Sequence, residues 1–266
     1  MSRELEISST SALNLGTPRL SLKDRTLKIL GTLGLYPQIF FSSMPFKIYE
    51  FDELVKGVSF SPSDRILDLG CGLGLQTLLL GQRGCEVVGL DVCASSIARA
   101  QRKAFLLKRR IRAEFHATPL LAAGFAAESF DKIFSFSVIE HIADYSVILS
   151  ELHRIIKSGG EFIASVDALQ GVSNPDLIAR HRRDHQVEKY FTPEELRAAL
   201  QAAGFREIDI YPIFTSAYAH RLFGQGVNSN FKFSLLSALW TWRRLSWAES
   251  RTRSKAGLFL VAKCRK

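Results

Sequence analysis

Three glycines at alternate positions, Gly70, Gly72 and Gly74, stand between an apolar run (Ile66, Leu67, Leu69) and an apolar-periodic segment, Leu73–Gln82. Strand, glycine turn and helix in that order let a ligand lie against bare backbone at a helix N-terminus. A second apolar run, Glu86–Leu90, then delivers Asp91 about 20 residues on, where a carboxylate meets ribose hydroxyls in nucleotide-binding α/β folds. The pattern is not that of a dinucleotide site, because Leu75 stands where the third small residue belongs. Nor is it a phosphate loop, since no Gly-Lys-Ser/Thr follows the turn. Asp68, just before the first glycine, would repel a pyrophosphate but suit a ligand that carries an amine. Three histidines complete the set of groups able to do chemistry. His141 follows the run DKIFSFS, and His181 and His185 lie in RHRRDHQVEKYF. Imidazole is the side chain best suited to move a proton near neutral pH.

These groups need a scaffold to bring them together, and the order of elements predicts one. Short apolar strands at Ile66–Leu69, Glu86–Leu90, Arg112–His116, Asp131–Ser137 and Glu161–Val166 alternate with helical segments at Leu73–Gln82, Ala94–Lys108 and Asp144–Lys157. Such alternation predicts an α/β fold with a parallel sheet covered by helices on both faces. Ser158-Gly159-Gly160 reads as the stop of the third helix. Thr192-Pro193-Glu194-Glu195 opens a further helix with a cap residue, a proline at the first position and two acids. That helix ends at Gly204, and FREIDIYPIF supplies a sixth strand, with Pro212 suited to a place near its end. Ala256–Lys263 reads as a seventh. In an open sheet of this kind ligands sit at the carboxyl ends of the strands, which is where Asp91 and His141 fall.

The chain has 266 residues, 47% of them hydrophobic, enough for one large domain with a sizeable core. Two parts are expected: a flexible segment and helical cap at 1–57, and the main domain at 58–266 with an insertion at about 217–253. Residues 1–22 are rich in Ser and Thr and read as disordered at the start. They lack the apolar stretch of a signal peptide, and no run of 18 apolar residues occurs, so the expected location is the cytoplasm. The four cysteines have no metal-type pairing, which agrees with a reducing compartment.

Net charge is +9, and part of the excess is local. Arg99, Arg102, Lys103, Lys108, Arg109, Arg110 and Arg112 crowd one helix and its exit, and read first as a solvated face. A second group, Arg243, Arg244, Arg251, Arg253 and Lys255, lies with Phe223, Phe231, Trp240, Trp242 and Trp247 in the insertion. One or two amphipathic helices are expected there, serving as extra core, as a lid over an apolar acceptor, or as a membrane-surface patch. His181 and His185 are four apart and could share a helix face, but only Asp184 offers a third ligand nearby, so no metal is expected. A loop folding over an acceptor is the reading favoured for Asn174–Lys189.

ILDLGCGLG with its answering Asp91, and SFSVIEHI after the fourth strand, resemble the class I S-adenosylmethionine (SAM)-dependent methyltransferases of the small-molecule type. The resemblance is specific from about Asp64 to Gly160 and looser to Lys266, including FTPEELRAALQAAGF. It implies a doubly wound, mostly parallel seven-stranded sheet with an antiparallel last strand, the Rossmann-like methyltransferase fold. It also implies SAM as cofactor, with Gly70, Cys71, Gly72 and Gly74 along the methionine portion and Asp68 favouring its ammonium group. Asp91 and Val92 would lie at the ribose, with Ser137 and Glu140 on the opposite wall beside His141. The family usually places an acid after the third strand to bond the adenine amino group. Pro119 occupies that position here, and Thr118 is the nearest side chain able to accept the bond. The N-terminal cap of the family often adds an aromatic, for which Tyr36 and Tyr49 are candidates.

The expected reaction is methyl transfer to oxygen or carbon of a small, partly hydrophobic metabolite, lipid or glycan precursor. If the acceptor is a hydroxyl, His141, His181 or His185 would be the base. Methylation of RNA or protein is an alternative motivated by the positive charge, although no RNA module and no Asn/Asp-Pro-Pro-Tyr motif occurs. A non-catalytic SAM-fold adaptor or sensor is another. The expected partner is thus a small-molecule acceptor rather than a nucleic acid, with peripheral membrane contact left open. Oligomeric state is not legible.

Overall fold

In a computed structural model the described residues are 21–33, 35–36, 44–107, 111–229, 231, 235–252 and 254–266. The disorder expected for residues 1–22 falls almost wholly outside them. The described chain forms α1 (Leu22–Thr32), α2 (Pro45–Val55), β1 (Arg65–Leu69), α3 (Leu75–Gly81), β2 (Glu86–Asp91), α4 (Ala94–Leu107), β3 (Arg112–Ala117) and β4 (Phe130–Phe136). It continues through α5 (Tyr145–Ile155), β5 (Ile156–Asp167), α6 (Pro175–His185), α7 (Pro193–Ala202), β6 (Arg206–Ile213), α8 (Ala217–Ser229), α9 (Leu235–Ser250) and β7 (Phe259–Arg265). The sheet order is β3-β2-β1-β4-β5-β7-β6, with β7 antiparallel to both neighbours and the pairs from β3 through β5 parallel. The expected fold is therefore present, and the order reverses between β1 and β4, the crevice where such sheets hold ligands.

Period-2 alternation splits the strands between two cores. Ile66, Val87, Phe134, Ile163 and Val261 join one cluster, while Leu67, Val88, Ile133, Phe162 and Leu260 join the other. Phe46, Phe51, Leu54 and Val55 of α2 belong to the first cluster, so the helical cap shares its core with β1 and β4. On the far side α1 docks on α4: Asp24 pairs with Arg102, and Leu27 packs among Ile97, Ala100 and Leu107. Part of the basic stripe read as solvated is thus engaged, and Lys103 likewise donates to the Leu73 carbonyl at 2.6 Å.

Two local expectations change. Ser158-Gly159-Gly160 does not separate helix from strand; α5 passes directly into β5 at Ile156, and the glycines form a bulge against β4. Gly160 sits so close to the Asp131 carbonyl that a Cβ would lie 2.8 Å from it, a crowding that only bare backbone accepts. Asn174–Lys189 is mostly helix rather than loop. Asn174 caps α6 by accepting from the Asp176 and Leu177 amides, and Pro175 takes the first helical position. The insertion provides two helices, α8 and α9. At α7 the Thr192–Glu195 capping box forms as its sequence predicts.

Candidate active site

The glycine turn is locked by its neighbours. The Gly70 and Cys71 amides both donate to the Leu90 carbonyl, at 2.7 and 3.0 Å, which ties the turn to the end of β2. Asp91 then accepts from the Gly72 amide at 2.8 Å and from the Cys93 amide at 2.8 Å. Two backbone donors thus fix the carboxylate that ends β2. Gly72 has φ +50° and open space where a Cβ would stand, so the turn offers bare backbone to a ligand beside Asp91. That cradle fits the methionine and ribose portions of SAM. Cys71 is buried beside it, whereas Val92 is 73% exposed. Thr118, half-buried, follows β3, and Pro119 begins a short turn at Leu120–Ala122.

Asp68 takes a different position from the one expected of a group facing an amine. It is 1% exposed behind the turn, and accepts from the Thr77 hydroxyl at 2.5 Å. Burial, with the charge of Asp91 adding to it, pushes its carboxyl up to about 7.

Next to the turn, Gly70 packs on Val138 so tightly that a Cβ would lie 2.3 Å from its side chain. Ser137, the residue before Val138, lines a cavity of about 320 Å³ at the carboxyl edge of β4 and β5. Its polar lining is Lys47, Ser137, His141, Asp167, His181 and His185, interleaved with Phe46, Phe223, Phe231 and Phe259. All three predicted histidines therefore share one cavity with Ser137. Ser137 and Phe231 are held at positive φ, +54° and +50°, as is Gln186 (+54°), whose carbonyl faces His141. Non-glycine residues adopt this geometry at a cost, and it gathers around the cavity.

The histidines differ in freedom. His141 Nδ1 lies 3.3 Å from the Gln186 carbonyl, which can only accept, so the proton sits on Nδ1 and Nε2 keeps its lone pair. Burial, Lys47 and His185 hold its pKa below the usual histidine range. His181 is buried, with Nδ1 3.1 Å from the Tyr190 hydroxyl and Nε2 3.7 Å from Asp167. Burial pushes it down to about 4. Its ring lies 4.6 Å from that of His185 on one face of α6, yet among the described residues no His, Cys, Asp and Glu cluster could hold a metal.

Glu140 does not line the cavity. It is fully buried beneath, where Oε1 accepts from the Asp167 amide at 3.2 Å and Oε2 has no hydrogen-bond partner. Its backbone carbonyl accepts from the Glu188 and Lys189 amides, which ties down the chain after α6. Glu50 is the second buried acid, paired with Lys47 at 2.8 Å and accepting from the Ser137 and Ser165 hydroxyls at 2.5 Å each. Asp167 is the third, pushed up to about 7 by burial, against the pull of Lys47. Sequence reasoning missed Lys47, Glu50 and Asp167. Asp167 had a usable signal, because it ends the fifth strand at the same edge as Asp91; Lys47 and Glu50 arrive from a helix far away in the chain. A larger cleft, about 530 Å³, lies at the β6 edge between α2 and α9, four strands from the glycine turn and without a histidine. Its distance from the turn and its lining make it the weaker candidate.

The methyltransferase domain model matches residues 67–164. Ubiquinone biosynthesis O-methyltransferase of Brucella anthropi is 33% identical over 153 residues, covering 54% of this chain and 61% of the relative. The enzyme of that name from Ruegeria sp. (strain TM1040) is 31% identical over 168 residues, 60% of this chain and 67% of the relative. The match to the first of these spans about three fifths of that relative's length. Among solved structures, geranyl diphosphate C-methyltransferase from Streptomyces coelicolor A3(2), with Mg2+, geranyl diphosphate and S-adenosyl-L-homocysteine, superposes with a TM-score of 0.61 at 14% identity, covering 100% of this chain and 91% of that one. Phosphoethanolamine N-methyltransferase 2 of Haemonchus contortus, with S-adenosyl-L-methionine, gives 0.57 at 16% identity over 84% and 57%. At these identities the structures establish the fold.

Proposed function

We propose that this chain, which belongs to the class I SAM-dependent methyltransferases, transfers a methyl group to a hydroxyl of a small, partly apolar acceptor. The observation that carries this reading is the cavity lined by three histidines and four phenylalanines together with Ser137, the residue before the Val138 on which Gly70 packs. The relatives' name, ubiquinone biosynthesis O-methyltransferase, favours oxygen as the accepting atom.

When bound, SAM supplies an electrophilic methyl group on a sulfonium. Gly72 would give it bare backbone, Gly70 and Gly74 let the turn pack on Val138 and Phe115, and Asp91, already aimed by two amides, would take the ribose hydroxyls. The phenylalanine wall holds the apolar part of the acceptor and excludes water, which orients the hydroxyl toward the turn. His141 Nε2 accepts the hydroxyl proton, since Nδ1 is committed to Gln186. The Lys47 ammonium, anchored on Glu50, favours the oxyanion that results. His181, held between Tyr190 and Asp167, shapes the floor.

The test combines calorimetric titration with S-adenosylhomocysteine and methyl transfer from labelled SAM to a panel of hydroxylated aromatics with apolar tails. Wild type should bind S-adenosylhomocysteine and Asp91→Ala should lose it. His141→Ala should keep that binding but lose about 10²–10⁴-fold in kcat. Wild-type protein that binds no S-adenosylhomocysteine would overturn the cofactor assignment. Full turnover by His141→Ala would overturn the base.

A further inference from the structure

The second basic group is arranged for a surface, and the arrangement is independent of the reaction proposed above. On α9, Trp240, Arg243, Arg244, Trp247 and Arg251 recur at three- and four-residue spacing and continue past the helix end. At 3.6 residues per turn all five fall within an arc of about 100°. Trp240 is 72% exposed, Trp247 is 60% exposed, and the three arginines are exposed as well. The opposite face is the buried one: Ala238 and Leu245 pack inward, and Glu249, the only acid of the helix, accepts from the Thr215 and Ser216 amides. The outward stripe therefore carries positive charge and indole rings with no carboxylate among them.

A monomer rarely leaves two tryptophans this open on one helix face without use for them. We infer that the α9 stripe seats the protein on an anionic lipid surface, with Trp240 and Trp247 at headgroup depth and the arginines on lipid phosphates. Tryptophan favours that depth, and each guanidinium adds attraction to an anionic leaflet. Charge selects this occupant over a second copy, because a twofold contact would set the same arginine row against itself. Charge would admit single-stranded RNA too, but RNA needs open ring faces for stacking. Arg251 already covers the Trp247 ring, 4.3 Å from its centroid.

Co-flotation of the full chain tests this, using phosphatidylcholine vesicles with and without phosphatidylglycerol, at low and physiological salt. Binding should require phosphatidylglycerol and weaken as salt rises. Arg243→Gln, Arg244→Gln and Arg251→Gln should each lower partitioning about fivefold. Trp240→Ser with Trp247→Ser should lower it further while thermal melting stays as in wild type. These positions are exposed, so the variants keep their fold. No flotation at low salt, or flotation unchanged in the arginine and tryptophan variants, would overturn the inference. So would a dimer in light scattering that the tryptophan variant abolishes without any vesicle binding, or tight RNA retention that depends on the same arginines.

Discussion

Asp68 sets burial against charge in a single carboxyl group. It is sealed behind the glycine turn with one hydroxyl donor, and its folded pKa stands near 7 against an ordinary 3.8. As pH rises between those values the unfolded chain gives up this proton before the folded one, so the group's contribution to stability drains over that window and is lowest above it. Asp68→Asn cannot ionise, so relative to wild type it should gain up to a few kcal/mol in urea unfolding between about pH 4 and about pH 8. A difference that does not change with pH would refute this. His141 gives the opposite sign. Its pKa lies below 6.5, so it is already neutral near pH 7 and loses its lone pair only in more acid solution. The acid limb of kcat/KM should therefore fall below pH 6.5, and Lys47→Met, which removes a neighbouring positive charge, should move it upward. Of these residues Asp68, Asp91 and His141 were legible from their place beside apolar runs. What was not legible was that Asp68 faces Thr77, because that depends on which donors the following helix packs behind the end of β1.

At the level of elements, α8 does what the insertion's composition left undecided. Phe223 is buried and its ring lies 5.1 Å from His181 and 6.5 Å from Phe46, so α8 helps line the cavity where it meets α2 and α6. Phe223→Leu keeps an apolar side chain but gives up ring area against the acceptor. KM for an apolar acceptor should rise about tenfold with kcat little changed, whereas S-adenosylhomocysteine binding should be unaffected. An unchanged KM would place the acceptor elsewhere, with the β6-edge cleft next in line. The strands and the cap of α7 followed from local chemistry, periodicity and cap residues, whereas α6 reads from its sequence as a loop. Sequence reading erred where a local signal had two uses. Ser158-Gly159-Gly160 can stop a helix or make room in a strand, and the closeness of the Asp131 carbonyl decided for the strand.

Across the whole molecule, the excess of positive charge is divided between uses. Arg102 and Lys103 on α4 hold α1 and the glycine turn, while the α9 arginines face outward. Among the described residues no helix is long and apolar enough to cross a membrane, so the lipid contact inferred for α9 is a surface contact. The sheet order brings the glycine turn at the end of β1 and the histidine cavity at the end of β4 to neighbouring strands, with Val138 packed on Gly70 and Ser137 lining the cavity.

Sequence by itself determined the alternation of strands and helices, the glycine turn with Asp91, and the family, because each is written in residues close together along the chain. Only the tertiary structure decided which groups share the acceptor cavity. Lys47, held by the buried Glu50, comes from α2, Asp167 from the end of β5, His181 and His185 from α6, and Phe223 from α8. Segments more than a hundred residues apart meet there, and their meeting depends on how two cores pack on one sheet rather than on any local preference.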